Sequence, residues 1–315
     1  MIELQAVSKA FGQTLAVDGI SLTVAAGELC VLVGTSGCGK STTLRMVNRL
    51  CEHSAGEIRI DGQPIDRLDP QALRRRIGYA IQNTGLFPHW TVARNIGVVP
   101  RLLGWPAARI RERVEALLTL LELPVAEFAD KYPSQLSGGQ AQRVGVARAL
   151  AGDPDILLMD EPFGALDPIT RDSLQNELLR IQAQVRKTIL FVTHDMDEAL
   201  KLADRIVVMD KGRIVQQDTP AALLANPCNA FVEHLVGGQE RGLKRAGLVP
   251  VASVMQPLAS PGAVIEGGVI RANDSVRQAI SLMLWQRCDS LPVVNEQGVQ
   301  VGVLHLGHLL NGAPS

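Results

Sequence analysis

Polar and apolar residues alternate with a period of two over Glu3–Ser8 and Ile20–Val24, the pattern of half-buried antiparallel strands. The texture then changes. Leu29–Val33 is continuously apolar, as a strand buried on both faces requires, and Ile156–Asp160, Ile189–Thr193 and Ile206–Met209 repeat that signature. Between these runs the apolar period lengthens to that of helices, over Thr42–Leu50, Arg109–Leu121, Gly138–Leu150 and Leu174–Val185. Pro124 and Pro133 punctuate the middle of the chain, and Lys211-Gly212 predicts a tight hairpin turn into Arg213–Gln217. Buried strands alternating with helices predict an α/β fold.

Periodicity lapses at Gly237–Gly247, which is polar and glycine-rich and reads as a linker. A smaller unit follows. Its helix is expected to start at an Asp274 cap and to bury Val276, Ala279, Ile280, Met283 and Leu284. Strand patterns at Leu291–Val294 and Gln300–Leu304 flank a Glu-Gln-Gly turn. The expected division is therefore a first domain over 1–237, a linker over 238–250 and a small α+β module over 251–311, with no internal repeat.

Composition narrows the function classes. The 315 residues carry a net charge of −1 and only 3% aromatics, so neither a field nor a stacking surface recommends nucleic acid as a partner. The five cysteines form no C-x-x-C pair and are expected as reduced thiols. The N-terminus opens directly on strand-like alternation, so no leader is expected. No apolar run approaches the ~18 residues of a membrane span, so any membrane role is expected to come through a partner.

The chemistry lies at strand ends. Gly34-Thr35-Ser36-Gly37-Cys38-Gly39-Lys40-Ser41 fits G-x-x-x-x-G-K-[ST] and sits between a buried strand and a helix, the context a phosphate loop needs. Glycines let backbone N–H groups face phosphates, and the N-terminus of the helix entered by Thr42 adds a favourable dipole. Lys40 is expected to reach the β- and γ-phosphates, and Ser41 to ligate Mg²⁺. A chance glycine-rich turn is the competing reading. Asp160 and Glu161 close the second apolar strand, where Asp160 is placed to hold Mg²⁺ and Glu161 to polarise an attacking water; two solvated acids are the alternative.

Leu136-Ser137-Gly138-Gly139-Gln140 sharpens this reading. It resembles the signature of the ATP-binding cassette (ABC) ATPases, and the other motifs follow in that family's order over Met1–Val236. The resemblance implies a P-loop NTPase cassette, a mixed sheet with a helical subdomain, that binds and hydrolyses ATP with Mg²⁺. It implies that Phe11 stacks on adenine, although a lone Phe between strands is more often core. Gln82 matches the Q-loop glutamine that touches Mg²⁺ or water. Ala165-Leu166-Asp167 resembles the D-loop of the dimer seam, and His194 the switch histidine, although a lone His is usually structural. Ser137, Gly138, Gly139 and Gln140 would contact the ATP held by a second copy of the chain, so the active form is a homodimer sandwiching two nucleotides.

Asn83–Asn95, with Phe87 and Trp90 expected at the surface, resembles the region where importer ATPases receive a permease. The chain has a single compact cassette, whereas non-transport members usually carry coiled-coil insertions or two cassettes. Gly39–Leu50 resembles the phosphate-loop helix of quaternary-amine importers. Val254–Pro257 and Ser290–Leu304 resemble one CBS motif, such as glycine betaine, carnitine and choline importers append to their ATPases. The resemblance thus implies an osmoprotectant importer, with an integral-membrane permease, an extracytoplasmic substrate-binding protein and a peripheral position at the cytoplasmic face of the plasma membrane. A polar amino-acid importer and a soluble ABC regulator are the alternatives. The tail departs from the family by holding a single CBS motif and by carrying His305 and His308 where ribose-binding CBS motifs have Ser/Thr and Asp.

Overall fold

The computed structural model describes residues 1–81, 85–164, 166–258, 262–263 and 267–310. Among them, contacts group the chain into two units that divide between Leu223 and Leu224.

The first unit holds two sheets. Strands β1 (Ile2–Phe11), β2 (Thr14–Val24), β4 (Ala55–Ile60) and β5 (Gln63–Pro64) form an antiparallel sheet in the order β2-β1-β4-β5. Strand β3 (Leu29–Gly34) instead joins β6 (Ile77–Ile81), β7 (Ile156–Asp160), β8 (Thr188–Thr193), β9 (Arg205–Asp210) and β10 (Arg213–Asp218) in the order β10-β9-β3-β8-β7-β6. All neighbours in this second sheet are parallel except β9 and β10. Those two are joined at Lys211 and Gly212, whose φ values of 45° and 81° meet the needs of a right-twisted two-residue hairpin. The alternating strands face one side to the core, whereas every residue of β3 and β8 is buried. Ile2, Leu4, Ile58 and Ile60 from the first sheet and Leu32, Leu158, Leu190 and Val207 from the second share one hydrophobic cluster with Leu44 and Val47 of helix α1 (Lys40–Val47).

Register aligns the chemistry. Val33 pairs with Thr193, and Asp160 with Val192, so Gly34, Glu161 and His194 all leave the sheet at its carboxyl edge. That is where open parallel sheets place their ligands. Helices α3 (Pro168–Val185) and α4 (Met196–Leu202) approach this edge, while α2 (Gly138–Leu150) begins elsewhere on the unit. The helix expected over Thr42–Leu50 starts earlier, at Lys40, because its N-cap is Gly39 at φ 106°, a backbone state that glycine takes without strain.

The second unit differs from expectation in three places. The stretch read as a linker forms helix α5 (Arg241–Leu248), with no residue of it fully buried. Arg241 donates to Glu233 at 2.9 Å, and the Val276 N–H to the Val249 carbonyl at 2.9 Å, which tie α5 to its neighbours on both sides. Helix α6 (Val276–Gln286) is capped by Ser275 and not Asp274: Ser275 Oγ accepts from Gln278 N, and the Gln278 side chain from Ser275 N, while Asp274 accepts from Arg271 N. Along α6, Val276, Ala279 and Met283 are buried as expected, but Leu284 is 71% exposed beside Trp285 at 87%. The strands β11 (Gln256–Pro257), β12 (Ile270–Arg271), β13 (Ser290–Val294) and β14 (Gln300–His305) form a sheet ordered β11-β14-β13-β12.

Phe191 is fully buried in β8, with its ring 5.9 Å from that of Phe163. Phe191→Ala is expected to cost about 3–5 kcal/mol of stability through the lost contacts and the cavity left behind; urea unfolding of the two proteins checks this.

Candidate functional site

The loop from Gly34 to Gly39 is shaped by close backbone approach. A Cβ at Gly34 would lie 2.1 Å from the Met209 carbonyl oxygen, and one at Gly39 would lie 2.6 Å from that of Ala16. Only glycine fits at either point. Thr35, Ser36 and Gly37 are exposed, Cys38 and Gly39 are buried, and Ser41 and Thr42 are half-buried. Lys40 is 5% exposed, and its Nζ donates to the Gly34 carbonyl at 2.8 Å and the Thr35 carbonyl at 2.9 Å. The ammonium is thus held inside the ring of the loop.

Ser41 Oγ donates to Asp160 Oδ1 at 2.7 Å, which draws the start of α1 to the end of β7. Burial pushes the Asp160 carboxyl above its ordinary pKa; the Ser41 hydrogen bond opposes that rise and the Glu161 charge adds to it. A hydroxyl and a desolvated carboxylate are hard oxygen donors of the kind Mg²⁺ takes. Among the described residues no cluster of three His, Cys, Asp or Glu side chains exists. Ser41 and Asp160 therefore fit an ion that keeps most of its positions for water and phosphate oxygens, and they do not fit an all-protein cage.

One residue on, Glu161 holds a left-handed φ of 46°, rare for a residue with a side chain. Its N–H donates to the Val192 carbonyl at 2.9 Å, and its Oε2 lies 3.0 Å from His194 Nδ1. The His194 ring is 60% exposed, so it faces outward from the strand end and leaves the core reading of this histidine behind. Asp195 caps α4 and accepts from Arg171 Nη1 at 3.4 Å. Behind it Glu198 is 5% exposed, accepts from Gln175 at 3.0 Å, and is pushed up in pKa by burial.

The remaining expected residues lie elsewhere on the first unit. Phe11 is 53% exposed with Lys9 Nζ 4.9 Å from its ring centre, so it is not a core aromatic. Ser137, Gly138, Gly139 and Gln140 form the N-terminus of α2, where Ser137 Oγ accepts from Gln140 N and the Gln140 side chain accepts from Ser137 N at 2.9 Å. Asp167 caps α3 by accepting from Ile169 N and Thr170 N, and the hydrogen bond from the Thr170 hydroxyl holds its carboxyl below the usual range. Gln82, like Asn83, Thr84 and Ala165, lies outside the described residues. Phe87 is exposed, but Trp90 is only half-buried because Arg94 stacks 4.4 Å above its ring. Sequence reasoning passed over Arg171, Asp195 and Glu198. The one available signal was Asp195 directly after His194, a cap residue at a strand-to-helix step.

Residues 17–164 match the ABC transporter family and residues 258–314 the CBS domain family. The chain is 50% identical over 310 residues to the glycine betaine uptake system ATP-binding protein YehX of Escherichia coli, covering 98% of this chain and 99% of that protein. This chain belongs to the ABC transporter family. As a member it binds ATP and hydrolyses it to drive transport. The glycine betaine/carnitine/choline transport ATP-binding protein OpuCA of Bacillus subtilis is also 50% identical, over 96% of this chain and 77% of its own length. Among solved structures, the post-hydrolysis dimer of the ATP-binding cassette MJ0796 bound to ADP and Pi has a TM-score of 0.63 at 33% identity, covering 70% of this chain and 99% of that one.

An acid whose pKa is raised by folding adds its full stability below its ordinary pKa, and loses that contribution as pH rises through the folded value. Asp160 is therefore a cost to the free chain at neutral pH, one that a bound cation would offset. Asp160→Asn keeps an oxygen for Ser41 and removes the charge. The nucleotide-free protein is expected to melt at the same temperature or higher at pH 7.5, while the stabilisation by Mg²⁺-ATP over ATP alone disappears; thermal melts with and without each ligand check this.

Proposed function

We propose that this chain is the ATP-hydrolysing subunit of an importer that takes up glycine betaine or a related quaternary amine. The observation that carries the substrate class is likeness along the whole chain, CBS-like end included, to an ATP-binding protein of glycine betaine uptake. The nucleotide site itself is blind to the cargo.

In this reading the functional span of the ATPase is 1–237 and that of the CBS-like motif 251–311. Backbone N–H groups of Gly34, Thr35, Ser36, Gly37, Cys38 and Gly39, with Ser41 and Thr42, cradle the phosphates, and Phe11 stacks on the adenine. Lys40 sits against the β- and γ-phosphates. Ser41, Asp160 and Gln82 hold Mg²⁺, which when bound draws charge from the phosphate oxygens. Glu161 takes the proton of the attacking water, and His194, 3.0 Å away, orients the Glu161 carboxylate and reaches toward the γ-phosphate. Ser137, Gly138, Gly139 and Gln140 complete the site of a second copy with a hydroxyl, N–H groups and a helix dipole. Asp167 lies at the seam between the copies. The dimeric arrangement of a solved relative supports this division of labour.

No helix among the described residues is long and apolar enough to cross a membrane. Transport thus calls for an integral-membrane permease, with the ATPase bound at its cytoplasmic face and an extracytoplasmic binding protein delivering the substrate. The exposed Phe87 and the Arg94-covered Trp90 form the surface we assign to that permease.

Glu161→Gln preserves the side chain's shape but cannot take a proton. ATPase turnover is expected to fall at least about hundredfold, with ATP binding intact and an ATP-dependent dimer retained on size-exclusion chromatography. Undiminished turnover would remove Glu161 from the role of base. For the substrate, uptake of labelled glycine betaine by cells carrying the complete transporter is expected to be competed by choline or carnitine and not by polar amino acids. Competition by amino acids alone would overturn the quaternary-amine assignment.

A further inference from the structure

The surface at Ser137–Gln140 and the Glu161–His194 pair are separate places on this chain, yet one turn of helix joins them. Gly139 lies against Thr170 so closely that a Cβ at residue 139 would come within 2.6 Å of Thr170 Cγ2. Thr170 belongs to the first turn of α3, which Asp167 fastens through the N–H groups of Ile169 and Thr170. The next residue is Arg171. Its Nη2 donates to the Leu166 carbonyl at 3.0 Å and its Nη1 to Asp195 Oδ2 at 3.4 Å. Asp195 directly follows His194, and its N–H donates to Thr193 Oγ1 at 3.0 Å. Glu161, Arg171, His194, Asp195 and Glu198 line a single small cavity.

We infer that the first turn of α3 is a lever between these two places, and that Arg171 is the positioning residue at its inner end. Contact travels from Gly139 through the Thr170 methyl to the helix turn, and from Arg171 to the segment that carries His194. The guanidinium fork suits this task because it binds two groups at a fixed separation, the Leu166 carbonyl on one side and the Asp195 carboxylate on the other. Its neighbour Ile169 is 84% exposed, so the outer side of the same turn is open to whatever covers the Ser137–Gln140 surface. A phosphate arriving on that surface presses on a helix turn whose inner face sets the Glu161–His194 geometry. Each chain would thereby sense occupancy of its partner's nucleotide through its own backbone. Coupling of this kind is carried by packed side chains, hydrogen bonds and rigid elements, and each link here is a contact, a hydrogen bond or a peptide bond.

The inference rests on the reading of Ser137–Gln140 as a nucleotide-binding surface, and a double-mutant cycle on the full-length protein separates the two ideas. Three single variants are measured for ATPase kcat and KM: Ser137→Ala, Arg171→Lys and Thr170→Ser. Arg171→Lys keeps the charge but not the fork. Thr170→Ser removes the methyl facing Gly139 and keeps the hydroxyl that bonds Asp167. Each is expected to lower kcat about tenfold with KM changed less than about twofold, the pattern of a lost transition-state arrangement. The doubles Ser137→Ala/Arg171→Lys and Ser137→Ala/Thr170→Ser are expected to fall about tenfold as well, since residues on one path fail to add. Doubles that fall about a hundredfold, the product of independent effects, would overturn the lever while leaving the surface assignment standing. A Ser137→Ala protein with wild-type kcat would overturn the surface assignment and the lever with it. If Arg171→Lys melts well below wild type or loses ATP binding, the Thr170→Ser cycle decides alone.

Discussion

Burying Asp160 at the end of β7 costs solvation, and the Ser41 hydroxyl 2.7 Å away is the group that offsets it in the free chain. This one bond does more than satisfy a carboxylate. β3 and β7 are not neighbours; β8 runs between them. By bridging over β8, the bond sets the phosphate loop at a fixed distance from the acidic strand end. Glu161 and His194 inherit their positions from that frame, because each is the first residue beyond a strand whose register is locked to β3 or to its neighbour. Chemistry carried on strand ends is more precisely placed than chemistry on free loops.

Much of this was legible because it depends on local rules. Period-two alternation, apolar runs and a glycine loop between strand and helix are imposed by the chain on itself. The same holds for Lys40, Ser41, Asp160, Glu161 and His194, each fixed by its distance from a strand end. What stayed hidden depends on neighbours distant in sequence. Arg171 reads as one more polar residue on a helix surface until Asp195 and the Leu166 carbonyl are brought beside it. Glu198 reads as a solvated acid in a helix first turn until Gln175 covers it.

The second unit shows the opposite failure. There local composition misled. Four glycines in Gly237–Gly247 suggested a flexible tether, but the stretch from Arg241 is helical and is held at its two ends by the Arg241–Glu233 pair and by the Val249 carbonyl that accepts from Val276 N. Asp274 and Ser275 are both good cap residues, and only the Gln278 side chain, three residues beyond Ser275, makes the reciprocal box that selects the serine. Leu284 fits the helical stripe by period yet lies bare beside Trp285, so period alone does not tell which apolar residues meet a partner within the same chain.

Lys40 is the feature with the widest reach. It uses the carbonyls of Gly34 and Thr35, whereas the N–H groups of the same loop are the ones proposed for phosphate, so in that reading the two do not compete. The loop is already a closed ring around its own ammonium before any ligand comes. Its conformational freedom was given up when the protein folded and need not be given up again on binding. Nucleotide affinity in this chain is therefore partly decided during folding, and a change that loosens the Lys40 ring would be felt first as disorder in the free protein.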